Sequence, residues 1–402
     1  MLYALNIRPD GVSAGVAPTQ PEFMWKAGCD EAGSCTDAEL SGIGQTWSTP
    51  VTGLVRGYEG DGTAEEPNPV LLMGGGWDDC MDEDTATLSV GSCSTGNFVY
   101  VLNGKTGALL RKFETEAPVV AEIELLDIDY DGYLDFAYAA DAAGNLYRVT
   151  LSKITDGVID PSITLDPTEW PMDLVAYSNR QGVRFMNQPI SAEVGNAVFI
   201  AIGAGDRERP LKQNYPYVES VENRFYVFID QPFLSETSPV DLDAMLNAAT
   251  GLSSEPDESG AVETLLEYDG WYLDLPDQGE QIVNQAAIGG GYVFFNSFQA
   301  QGSTQGFCSD LGTAKAYRVP LFAPEAVEGK EFGEGVPIPP IIVTVKLDNG
   351  QDDCAENCGP GEITDDVVTV IIGLEGFEVV DITPNPPSKV REAFRVENVD
   401  RL

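Results

Sequence analysis

Apolar residues along this chain fall in runs of four to eight, bounded by Gly, Asp, Asn or Pro, and helical periodicity is scarce. Runs of that length between turn-forming residues predict β-strands. The runs recur as pairs. The first member is almost wholly apolar and ends in Gly or another small residue, as in Val70–Gly76, Val198–Gly203, Tyr292–Phe295 and Val367–Gly373. The second carries an aromatic residue and is more mixed, as in Leu2–Asn6, Val99–Asn103, Leu146–Thr150, Phe225–Asp230 and Ala316–Val319, with Phe377–Asp381 a weaker copy. An uninterrupted apolar strand is one covered on both faces. A small sheet repeated around an axis provides that cover and protects its own edges. The expected fold is therefore all-β, a β-propeller with an incomplete set of five or six blades; an ordinary β-sandwich is the alternative. One helix is expected, over Pro239–Leu252, with Ser238 as its N-cap. Long loops are expected at residues 26–45, 60–69, 78–96, 207–222, 231–269 and 346–365. Function on such a scaffold resides in loops.

Composition agrees with many short strands and turns: 402 residues, 43% hydrophobic, with 42 Gly and 26 Pro. The whole chain reads as one propeller-type domain, residues 1–402. The net charge of −43 repels phosphate backbones and anionic lipid, so no nucleic-acid partner is expected. No apolar run reaches the roughly 20 residues of a membrane helix. The opening Met1–Ile7 has neither the basic region nor the long apolar stretch of a signal peptide and reads as a strand, which suggests a fragment, a mature form or a truncated reading frame.

Histidine is absent, which removes Ser-His-Asp and Cys-His catalysis, histidine-ligated metals and histidine pH switching. The seven Cys stand at 29, 35, 80, 93, 308, 354 and 358. Close pairing predicts disulfides Cys29–Cys35, Cys80–Cys93 and Cys354–Cys358 and leaves Cys308 over; zinc is the alternative, although no Cys-x2-Cys spacing occurs. Disulfides place the chain outside the cytoplasm.

The densest chemistry lies in Asp127-Ile128-Asp129-Tyr130-Asp131-Gly132-Tyr133-Leu134-Asp135. Acids occupy positions 1, 3, 5 and 9, with Gly132 at position 6. Ca2+ takes six to eight oxygens, and alternate carboxylates in a tight loop, with Gly at the sharp turn, supply them. The carbonyl of Tyr133 is the expected backbone ligand and Asp135 the bidentate one. An EF-hand would need Glu twelve residues into the loop and flanking helices. Here that position is Tyr138, and the flanks read as strands, so the site is a calcium-binding hairpin within residues 123–151. The expected metal ligands are Asp127, Asp129, Asp131, Tyr133 and Asp135. The acid-rich stretches Asp78–Asp84 and Asp348–Asp353 lack this alternation and read as solvated loops.

The same loop, followed by Tyr138-Ala139-Ala140-Asp141 and Gly144-Asn145-Leu146-Tyr147-Arg148, resembles the calcium-binding blade of the PilY/PilC type IV pilus tip-associated proteins. Leu2–Asn6 with Phe23–Lys26, Tyr100–Gly107, and Gly270–Leu275 with Gly279-Glu280 resemble further segments of that propeller. Gln281 stands where that family usually has Arg, and the family's early blades and N-terminal adhesive region have no counterpart here, so the resemblance implies that residues 1–402 are the C-terminal portion of a larger protein. The resemblance implies a non-enzymatic pilus biogenesis protein at the pilus tip, cell surface or periplasm. It implies pilin or minor pilins as partners, attachment to host or abiotic surfaces, and calcium control of pilus extension against retraction. Two other functions use similar parts. Quinoprotein dehydrogenases have similar blades and use calcium beside a quinone, but the five Trp here are dispersed. Integrin-like or lectin-like modules repeat the calcium loop from blade to blade, whereas here it occurs once.

Overall fold

The computed structural model describes residues 1–6, 21–30, 32–82, 93–206, 221–234, 238–251, 258–300, 312–325, 327–347, 366–372 and 377–379. β1 (Leu2–Asn6) and β2 (Glu22–Ala27) form an antiparallel pair. β3 (Val51–Gly53), β4 (Val70–Gly74), β5 (Phe98–Asn103) and β6 (Leu109–Glu114) form the first full sheet, in that order. β7 (Glu124–Leu126), β8 (Phe136–Ala140) and β9 (Asn145–Thr150) begin the second. A small hairpin of β10 (Ile154–Thr155) and β11 (Val158–Ile159) follows, and β12 (Met172–Tyr177) then returns to pair with β9. The third sheet is built on β13 (Ile190–Val194), β14 (Ala197–Gly203) and β15 (Arg224–Asp230).

The next segment crosses between sheets. β16 (Val240–Asp241) pairs in parallel with the outer edge of β12, and β17 (Leu246–Asn247) pairs in parallel with β18 (Gly270–Asp274), itself paired to β15. The helix expected over 239–252 is therefore replaced by two short edge strands and two 3₁₀ turns. Asp241 and Asn247 cause the change. Their side chains accept from Asp243 N and Ala249 N, capping each turn before a helix can propagate. Among the described residues the α-helix is α1 (Glu258–Glu267), further on, where Leu265 is buried in the core of the third and fourth sheets.

The fourth sheet contains β19 (Gln281–Ile282), β20 (Ala287–Gly289), β21 (Tyr292–Gln299), β22 (Thr313–Pro320) and β23 (Lys330–Glu334). A last sheet comprises β24 (Ile341–Leu347), β25 (Asp366–Ile372) and β26 (Phe377–Val379). Among the described residues no helix is long and apolar enough to cross a membrane.

The apolar runs are explained by where alternate side chains go. In β4, Val70 and Leu72 enter the core shared with the second sheet, while Leu71 and Met73 face the β1–β2 pair. In β8, Ala137 and Ala139 face the first sheet, while Phe136, Tyr138 and Ala140 face the third. In β14, Val198, Ile200 and Ile202 face the second sheet, while Phe199 and Ala201 face the fourth. Successive sheets thus stack in chain order with both faces covered. A two-layer sandwich cannot do this, and the fold is a β-propeller. Four of the pairs of runs read from the sequence are inner pairs of a sheet, β4–β5, β8–β9, β14–β15 and β21–β22, whereas the runs at Val367 and Phe377 are β25 and β26, with β26 at the edge of the last sheet.

Disulfides Cys29–Cys35 and Cys80–Cys93 are formed. Cys308 and the pair Cys354–Cys358 lie outside the described residues.

Candidate metal centre

β7 and β8 are antiparallel, with Leu126 opposite Phe136, and Asp135 N donates to Leu126 O at 2.8 Å. That closure makes residues 127–135 the tip of a β-hairpin, as the sequence predicts. The tip is wound tightly by its own acids. Asp127 accepts from Asp131 N (3.1 Å) and Gly132 N (2.8 Å). Asp131 accepts from Tyr133 N (2.8 Å), and Asp135 accepts from Ile128 N (3.0 Å). Gly132 has φ +89° and a Cβ there would meet nothing, so the glycine is needed for its backbone conformation rather than for space. Tyr130 is also left-handed, at φ 56°.

The winding brings one carboxylate oxygen each of Asp127, Asp129 and Asp135 within 4.8 Å of one another. Asp135, at the foot of the loop, is only 2% exposed, while Asp129 is open to solvent. The pKa of Asp127 is raised by burial and by the neighbouring Asp129. That of Asp135 is raised by burial and by the charges of Asp129 and Asp127. Three hard oxygen donors crowded this closely, with the ionisation of Asp127 and Asp135 disfavoured, are a donor set that fits a hard divalent cation.

Asp131 is placed differently. Its carboxylate is ion-paired with Arg56, just beyond β3 on the preceding sheet, and does not join the group of three. The Tyr133 ring lies 4.6 Å beneath the Arg56 guanidinium. Two residues close to the loop are absent from the sequence reading: Arg56, and Glu193 on β13 of the following sheet. Glu193 shares a hydrogen bond with the Tyr130 hydroxyl, and burial raises its pKa, with the charges of Asp127 and Asp135 adding to the effect. Both lie some sixty or seventy positions from the loop along the chain, and no local pattern points to either.

A second grouping, Asp78 with Cys80 and Cys93, is structural. Its sulfurs are joined to each other, and Asp78 accepts from Cys80 N (2.8 Å), Thr95 N (2.8 Å) and the Thr95 hydroxyl (2.5 Å). Asp78 is buried, so the expectation of a solvated loop fails at that residue. The stretch Asp348–Asp353 lies outside the described residues.

Residues 61–204, which include the hairpin, match the family model of the PilY1 beta-propeller domain. A type IV pilus biogenesis factor PilY1 homolog from Xylella fastidiosa is 26% identical over 276 residues, which are 59% of this chain and 17% of that protein. The crystal structure of the Pseudomonas aeruginosa PilY1 C-terminal domain superposes with a TM-score of 0.59 at 13% identity, covering 95% of this chain and 78% of that one. A quinohemoprotein alcohol dehydrogenase from Pseudomonas putida HK5 reaches a TM-score of only 0.33 at 11% identity, over 85% of this chain and 43% of its own, which carries no argument for enzymatic activity. Residues 61–204, with the acidic hairpin inside them, are therefore similar to the PilY1 beta-propeller domain.

Proposed function

We propose that this chain is the calcium-binding propeller of a type IV pilus biogenesis protein. In this reading it acts outside the cytoplasm, at the pilus tip, cell surface or periplasm. The state of its 127–135 hairpin biases pilus extension against retraction and supports attachment to host or abiotic surfaces. The observation that carries the reading is the convergence of the Asp127, Asp129 and Asp135 carboxylates in a hairpin inside the PilY1-matched region. The two disulfides fit an oxidising compartment.

A bound Ca2+ would supply two positive charges to side chains that otherwise repel one another. Asp127, Asp129 and Asp135 would hold it, with Asp131 and the Tyr133 carbonyl as the further ligands the loop offers. Asp135 ties the cluster to the sheet: its carboxylate receives Ile128 N and its own amide donates to Leu126 O. Charge at the cluster is therefore felt directly by the ends of β7 and β8. Pilin or minor pilins are the expected partners of the ordered hairpin, a difference in affinity between two loop states being the means of control.

The test is a piliated strain in which the full-length gene carries Asp135→Asn. The expected result is normal export of the protein with loss of the calcium dependence of surface pilus number and attachment. A variant strain that responds to calcium as the parent does would contradict the proposal.

A further inference from the structure

Arg56 touches the acidic hairpin from another sheet. Its guanidinium pairs with Asp131 and stacks over Tyr133, with both ion-pair side chains about a quarter exposed, 28% and 25%. The backbones meet at the same place. Leu134 N donates to Leu54 O at 2.7 Å, and a Cβ on Gly53 would lie 2.5 Å from the Leu134 side chain. The tip of the second sheet's hairpin is thus latched to the end of β3 in the first. The latch also holds the acid at the loop's fifth position away from the three that converge. A cationic group already serves this loop, but one built into the protein.

We propose that Arg56 is an intramolecular competitor for Asp131. It holds that carboxylate in the cation-free loop, and Asp131 leaves it for the cluster when a divalent cation is bound. Metal occupancy is thereby coupled to the contact between two adjacent sheets. This rests on the calcium reading given above. Chemistry favours the exchange. A partly exposed ion pair biases an equilibrium only a few-fold, whereas a hard dication with three carboxylates already in place gains a fourth oxygen donor. The sign of the effect is distinctive. Were Arg56 a support that positions the loop, removing it would weaken cation binding; as a competitor, its removal strengthens binding.

The experiment is a calorimetric titration of Ca2+ into the chelator-stripped chain, for the parent, Arg56→Gln, Asp131→Asn and the double variant. Arg56→Gln is expected to bind about two- to fivefold more tightly than the parent. In the Asp131→Asn background the same change should have no effect, because the competed carboxylate is gone. Unchanged or weaker binding by Arg56→Gln overturns the proposal. So does a tightening that persists without Asp131, which would reflect net charge alone. Should Arg56→Gln not fold, Arg56→Lys keeps the charge without the planar stacking on Tyr133 and is expected to tighten binding by a smaller factor; no tightening contradicts the latch. Calcium binding that is insensitive to Arg56 removes only the latch, whereas a parent chain that binds no calcium removes the calcium reading and the latch together.

Discussion

Asp141 shows how a carboxylate is kept inside this molecule without a cation. It is fully buried at the end of β8 and accepts from Ala117 N (3.1 Å), Ala143 N (2.9 Å), Asn145 N (3.1 Å) and the Tyr147 hydroxyl (3.0 Å). Burial pushes its pKa up to about 6, with the Asn145, Tyr147 and Ala143 hydrogen bonds opposing the rise. A folded value above the unfolded carboxylate value of about 3.9 means that the native state binds the proton more tightly. Stability from this group is therefore gained as pH falls through about 6 toward 4, and lost as pH rises through 6. The parent should gain stability relative to Asp141→Asn over that window, measured as the difference between their urea-unfolding free energies. A difference that stays flat with pH would contradict the assignment. Asp141 was visible in the sequence only as part of a family motif, because nothing local marks it as buried. Arg56 and Glu193 were invisible for the related reason that they reach the hairpin from neighbouring sheets.

At the level of elements, the strands were legible because burial on both faces writes itself as unbroken apolar runs, as in Phe136–Ala140 and Ala197–Gly203. The hairpin was legible because Gly132 and the alternating acids allow few other conformations. The segment 239–252 was misread because partners distant in sequence decide it: β16 and β17 lie on the edges of two different sheets. Polar links between sheets were equally hidden. Asp230 on β15 accepts from Arg148 Nη1 at 2.7 and 2.8 Å and from the Tyr138 hydroxyl at 2.9 Å, joining the third sheet to the second. Asp230→Ala would leave Arg148 buried without this partner and should cost about 3–5 kcal/mol of unfolding free energy in urea. A loss below about 1 kcal/mol would show that Arg148 finds compensation elsewhere.

The whole molecule carries a charge of −43 yet stacks its sheets through cores that are largely apolar. Phe225 and Phe295 stack at 3.8 Å, and Phe295 and Tyr317 at 4.7 Å, so an aromatic column crosses from the third sheet into the fourth. With the scaffold held this way, the acidic hairpin can change its charge without being needed to hold the sheets together. Asp135→Asn keeps an oxygen for Ile128 N and should leave the fold intact. The most direct test of the account is native mass spectrometry of the purified chain after calcium is restored to chelator-stripped protein. The parent is predicted to take up a single calcium ion at the Asp127–Asp129–Asp135 cluster and Asp135→Asn to take up none; equal uptake by both proteins would contradict it.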